Sequence, residues 1–300
     1  MKFGKLDNIE GVDFTLPADY LHNKSTPDET SQSVDTQFYI GCTAWTTKQW
    51  KGRTYPEKTK AADYLIAYGK QFNTIELNTT HYSIPKPAYI QKWVDQTPKD
   101  FKFCPKVLKY ISHASDLSIG TQKIKEFCNA VSLFEDKLGM CFIQLPPYFS
   151  IERLPVLEQF FKAFPQEIPL AVELRHESFY ENGDNLSKTL ELIVKYGRTF
   201  LITDVAGRRD ILHMAMTSDT TMVRFVGNDL HPTDYSRLEE WVSKLNSWTE
   251  YGLNKVYFFP HEPDNINAPE ISQYFYQRIN KFDNFKGRGP RLLEQQKSLF

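Results

Sequence analysis

The stretch 172-VELRHESFY-180 decides how the chain folds. It begins as a buried β-strand, following 168-IPLA-171, yet Glu173, Arg175 and His176 arrive within a few residues. Side chains alternate along a strand. Val172 and Leu174 therefore share one face, and Ala171, Glu173 and Arg175 share the other. If the apolar face packs on helices, the acid and the base point into the interior at the strand's C-terminal end.

Seven other apolar runs resemble this one: 38-FYIGC-42, 73-NTIELN-78, 101-FKFCPKV-107, 141-CFIQL-145, 199-TFLITDV-205, 221-TMVRFVG-227 and 255-KVYFFPH-261. With 169-PLAVELR-175 they make eight. Helical periods lie between most of them. Pro87 opens 87-PAYIQKWVDQ-96 at the position where proline is tolerated, and 121-TQKIKEFCNAVSLFEDKLG-139 carries one apolar stripe ending at a glycine. The link 206-AGRRDILHMAMTSDT-220 is too irregular for a full helix. Strand alternating with helix predicts a parallel sheet, and eight such units predict a single-domain α/β fold, the (β/α)8 TIM barrel. Residues 1–37 read as an N-terminal arm whose apolar patch is 14-FTLPADYL-21, residues 38–282 as the barrel, and residues 283–300 as a C-terminal tail.

The alternation extends to the other strands. It turns Glu76 and Asn78 inward on strand two, Lys106 on strand three, Gln144 on strand four, Asp204 on strand six, Arg224 on strand seven and His261 on strand eight. In this phase Leu201 and Thr203 face outward. Three acids (Glu76, Glu173, Asp204) then meet three bases (Lys106, Arg175, Arg224) at the C-terminal face, where active sites of this fold sit. Ion pairs inside such barrels also occur for stability alone. Buried charges are costly without compensation, however, and six together point to a site.

The chain has 300 residues, a net charge near −1 and 41% hydrophobic residues. This balance excludes a global basic field for non-specific nucleic-acid binding. No run approaches a membrane span, so no membrane partner is expected. The four cysteines show no C-x-x-C spacing and read as buried free thiols, which predicts a cytoplasmic protein.

At these residues the chain resembles the YecE-like family, also known as domain of unknown function 72, from about Tyr39 to Phe282. The resemblance rests on 41-GCTAW-45 with Trp50, Tyr55 and Pro56; 76-ELNTTHY-82; 91-QKWVDQTPKDFKF-103 with Lys106 and His113; 144-QLPP-147; 173-ELRHESF-179; Asp204; and 224-RFVG-227. It implies a bacterial TIM-barrel protein and no established reaction. The sequence departs from the family's usual pattern at Ala44, His81, Val226 and Pro260-His261; Val226 stands where a histidine is frequent.

The candidate catalytic residues are Glu76, Lys106, Glu173 and Asp204. The candidate substrate-binding residues are Trp45, Asn78, Tyr82, His113, Gln144, Arg175, His176, Arg224 and His261. Arginine forks match phosphate or carboxylate, the carboxylates suit acid–base work, and Trp45 and Tyr82, in loops, suit stacking on a sugar or base. The neighbouring acids should keep Lys106 protonated. No cofactor is predicted, although the acids with His113, His176 or His261 are also a donor set for a divalent metal. The first reading is an enzyme, isomerase- or hydrolase-like, acting on a polar anionic small molecule such as a sugar phosphate. The alternative is a nucleic-acid-directed repair-type phosphodiesterase or binding protein. That alternative leans on 296-QKSLF-300, where Gln296, Leu299 and Phe300 resemble peptides that dock on the bacterial sliding clamp.

Overall fold

A computed structural model describes residues 4–20 and 35–293. Among these residues ten strands run in chain order: β1 (Thr36–Ile40), β2 (Thr74–Leu77), β3 (Lys102–Pro105), β4 (Cys141–Gln144), β5 (Leu170–Glu173), β6 (Thr199–Phe200), β7 (Ile202–Asp204), β8 (Thr220–Val226), β9 (Lys255–His261) and β10 (Phe285–Arg288). The helices are α1 (Tyr64–Gln71), α2 (Pro87–Asp95), α3 (Lys109–Ser112), α4 (Gln122–Ser132), α5 (Leu154–Ala163), α6 (Gly183–Lys195), α7 (Pro232–Thr249) and α8 (Ala268–Ile279). This is a mixed α/β fold built on parallel sheets. None of these helices is long and apolar enough to cross a membrane.

The strands form three sheets, in the orders β10-β1-β9-β8-β7, β2-β3 and β4-β5-β6, and every pairing is parallel. A few hydrogen bonds join the sheets. The Glu76 amide donates to the Cys42 carbonyl at 3.0 Å and the Val107 amide to that of Phe142 at 2.8 Å. Gly41 permits the first approach, because a Cβ there would collide with the Thr74 carbonyl.

Both faces of β2 to β8 are buried or nearly so, as in parallel sheets covered by helices. On one face Ile75, Leu77, Ile143, Val172 and Leu174 pack with Tyr68, Phe127, Phe160 and Ile193. Farther round, Phe38, Ile40, Val223, Phe225, Val256 and Phe258 pack with Trp241, Leu245 and Phe275. The opposite faces meet in one inner cluster of Cys104, Met140, Phe142, Ala171, Leu201, Met222, Tyr257 and Phe259, with Tyr39 against it.

Two segments differ from the sequence reading. Helix α4 ends at Ser132 rather than running to Gly139; the Gly139 amide instead donates to Phe103 of β3 at 2.7 Å. In the stretch read as a tail, Phe285–Arg288 pairs along Thr36–Tyr39. The irregular link after β7 holds one short turn, Arg209–Ile211. The N-terminal segment lies against that link: Asp19 bridges Met214, and the Phe14 carbonyl accepts from Arg209 Nη2 at 2.9 Å.

Candidate active site

Strand alternation carries the inner cluster into a polar layer. Two residues beyond its members Cys104, Phe142, Ala171, Met222 and Phe259 stand Lys106, Gln144, Glu173, Arg224 and His261. Glu76 takes the same place on β2, opposite Ile75 and Leu77.

These side chains join into one relay. Arg224 forks onto Glu76, with Nε to Oε2 at 2.9 Å and Nη2 to Oε1 at 3.0 Å, and its Nη1 donates to Glu173 Oε2 at 2.7 Å. Gln144 Nε2 donates to the same Glu173 oxygen at 2.7 Å, while Gln144 Oε1 accepts from Lys106 Nζ at 2.9 Å. Those two partners fix the amide's orientation. Arg175 Nε donates to Glu173 Oε1 at 2.6 Å, and Asn78 Nδ2 to Glu76 Oε1 at 3.0 Å. At the far end His261 Nε2 lies 2.9 Å from Glu76 Oε2.

Charge follows from this geometry. Burial alone would raise Glu76, but Arg224 and His261 outweigh it and hold the carboxyl well below the usual range. Burial likewise opposes Glu173, yet Arg175 and Arg224 bring it down to about 2. Burial and then Arg224 favour neutral imidazole at His261 against the pull of Glu76, so Nε2–H donates to the ionised carboxylate. Lys106 stays mostly protonated at neutral pH, as the sequence reading expects, yet its pKa falls. Burial, followed by Arg224, outweighs Glu76 and Glu173 and lowers its amine to about 8. The two acids are already committed to arginines, so their hold on the lysine is weakened. Beneath it lies Phe142, whose ring centroid is 5.8 Å from Lys106 Nζ and 5.7 Å from Arg224 Cζ.

Eight of the sequence candidates thus come together: Glu76, Asn78, Lys106, Gln144, Glu173, Arg175, Arg224 and His261. Asp204 is a correction. It points toward α7, taking Trp241 Nε1 at 2.8 Å and Arg237 Nη2 at 2.8 Å, with Arg209 as a further partner. The phase of β7 is opposite to the one assigned: Leu201 joins the inner cluster while Ile202 packs among the helices, so the inward residue at this level is Thr203. His176 caps the turn Glu177–Phe179 by accepting from the Ser178 amide at 3.2 Å. Trp45 packs edge-on against Trp93 of α2 at 5.6 Å, and Tyr82 stands exposed beside His81. His113 bonds Ser112 Oγ at 2.9 Å rather than the relay; burial, then Lys109 and Lys106, lower its pKa. Among the described residues no group of three or more His, Cys, Asp or Glu is placed to hold a metal ion. Gln296, Leu299 and Phe300 lie outside the described residues.

Sequence reasoning missed the Phe142 floor and Thr203, both legible from a correct alternation, and Glu262. Glu262 directly follows His261, and a cavity of about 730 Å³ adjoins both.

Comparison with known proteins agrees with this frame. The model of a family described as "Protein of unknown function DUF72" matches residues 39–295. The UPF0759 protein YecE of Escherichia coli K12 is 30% identical over 280 residues, covering 87% of this chain and 99% of that protein. The UPF0759 protein YunF of Bacillus subtilis is 26% identical over 286 residues, covering 85% and 99%. In fold, the chain is similar to the crystal structure of a DUF72 family protein from Enterococcus faecalis V583, with a TM-score of 0.65, 18% identity and coverage of 82% and 98%. A DUF72 family protein from Thermotoga maritima MSB8 gives a TM-score of 0.63 at 23% identity, covering 79% and 98%. From the span of the family match and the identity to YecE, the chain belongs to the DUF72 family.

Proposed function

We propose that the protein is an enzyme that moves a proton on a polar, anionic small molecule such as a sugar phosphate. The observation that carries this reading is Lys106. It is a buried amine lowered to about 8, and its one hydrogen bond among the described residues goes to Gln144. At pH 7 roughly a tenth of it is neutral, which suits a group that both takes and gives protons. Glu76 and Glu173 act through it as positioning residues. They neutralise Arg224 and so keep the amine from falling further. Arg175, with its side chain 11% exposed, retains access to solvent that Arg224 lacks, and it receives the substrate's anionic group. An isomerase- or hydrolase-like reaction fits such a set.

On the same footing we infer that the three sheets close into one (β/α)8 barrel with the relay across its mouth. The sheet-joining bonds at Cys42–Glu76 and Phe142–Val107, and the Leu201 amide donating to Val172 at 2.9 Å, support closure. The four buried free thiols support a reducing, cytoplasmic compartment.

The experiment is a thermal-shift screen of the purified protein against sugar phosphates and hydroxy-carboxylates, followed by turnover assays on compounds that stabilise it. Stabilisation should disappear in Arg175→Met, and turnover in Lys106→Met. Compounds that stabilise both variants as well as the parent would contradict the assignment, and so would a screen with no stabilising compound.

A further inference from the structure

Among the described residues five carboxylates are buried: Glu76, Glu173, Asp204, Asp234 and Glu262. Four of them have an arginine partner. Glu262, 3% exposed, has no cationic partner among the described residues. Its Oε2 accepts from the Asp229 amide at 2.8 Å, whereas its Oε1 has no hydrogen-bond partner among the described residues. The carboxyl lies over Gly227, where a Cβ would collide with Oε1. The side chain lines a cavity of about 730 Å³ between the ends of β8 and β9 and the segment 4–9.

Ionised, it is a buried charge with no counterion among the described residues, a costly condition. An ammonium supplies the missing charge and up to three donors. The remaining lining has the matching sign, since Asp7, Asp229 and Asp264 outnumber Lys5. A bare metal ion fits less well, because no three-ligand group is present among the described residues and Asp229 Oδ1 already accepts from Asn267 at 2.8 Å.

We propose that this cavity is a second binding site, for a small organic cation whose primary ammonium sits on Glu262. The site is independent of the chemistry assigned to Lys106: Glu262 takes no part in the relay, and the two share only His261. The protonation of Glu262 supports the same conclusion. Burial, then the adjacent Asp234, push its carboxyl up to about 8 against the Asp229 and Leu230 amides. Tyr235 also faces it from α7. Lys5, Asp7, His231 and Asp264 line the cavity around it.

The probe is putrescine, with 1,4-butanediol as its neutral counterpart, titrated calorimetrically into the full chain. Putrescine should bind and butanediol should not. At pH 7 the binding should release close to one proton, read from heats in buffers of different ionisation enthalpy. Raising the pH from 7 to 9 should tighten binding by about tenfold, as the ionised fraction of Glu262 rises. Glu262→Gln should weaken binding at least tenfold and abolish both the proton release and the pH dependence, which separates Glu262 from Lys106 and the histidines. Should that variant fail to fold, Asp264→Asn at the exposed rim should weaken binding two- to threefold. Equal binding of amine and diol, no proton release, undiminished binding by a folded Glu262→Gln protein, or no binding at 10 mM would each overturn the proposal.

Discussion

Glu173 gathers hydrogen bonds from Gln144, Arg175 and Arg224, three side chains that begin on separate stretches of chain. Removing it leaves Arg224 Nη1 and Arg175 Nε without that acceptor in a buried place. Glu173→Ala should therefore cost about 3–5 kcal/mol in urea unfolding; an unchanged midpoint would mean that the carboxylate is solvated. Its pH signature has a definite sign. The carboxyl is lowered from 4.5 to about 2 in the fold, so the unfolded chain binds the proton more readily between those values. The contribution is present above pH 4.5 and lost as the pH falls toward 2. Glu262 has the opposite sign: raised to about 8, it makes stability decline as the pH rises from 4.5 to 8. Glu262→Gln should flatten that decline when melting is followed across the interval. Glu173 and Arg175 were legible in the sequence because Val172 and Leu174 mark the apolar face unambiguously. Glu262 was not, because its character comes from a missing cation, and a sequence does not display a missing neighbour.

The same logic explains the strands. On β2, β4 and β5 one face is uniformly apolar toward the helices, so the other face could be read directly. In 199-TFLITDV-205 both faces are apolar, with Phe200 and Ile202 on one and Leu201 and Val205 on the other. The adjacent Thr203 and Asp204 then leave the phase undecided. What settles it is α7, whose Trp241 and Arg237 supply the indole and guanidinium that an outward Asp204 needs. Asp204 thus fastens β7 to α7. Asp204→Ala should lower stability by about 3–5 kcal/mol, because it leaves Arg237 buried without that partner. It should leave unchanged the affinity for any anionic compound found in the screen. Loss of that affinity in a folded Asp204 variant would return Asp204 to the site.

For the whole molecule, the parallel strand–helix order was legible from periodicity, whereas the two ends of the chain were not. Phe285–Arg288 carries little apolar signal, yet it pairs with β1, and Arg288 Nε bonds Asp100 at 2.6 Å. Deleting residues 284–300 should lower the melting temperature by several degrees; a detached tail would leave it unchanged. The relay is also a property of the whole, since its members come from β2, β4, β5, β8, β9 and the ends of β3 and β5. The state of Lys106 reports on all of them. The most direct test is a ¹⁵N NMR titration of the lysine Nζ resonances, with Lys106→Met to assign the signal. One lysine signal, absent from that variant, should titrate near pH 8. A Lys106 amine that stays protonated to pH 10 would contradict that expectation.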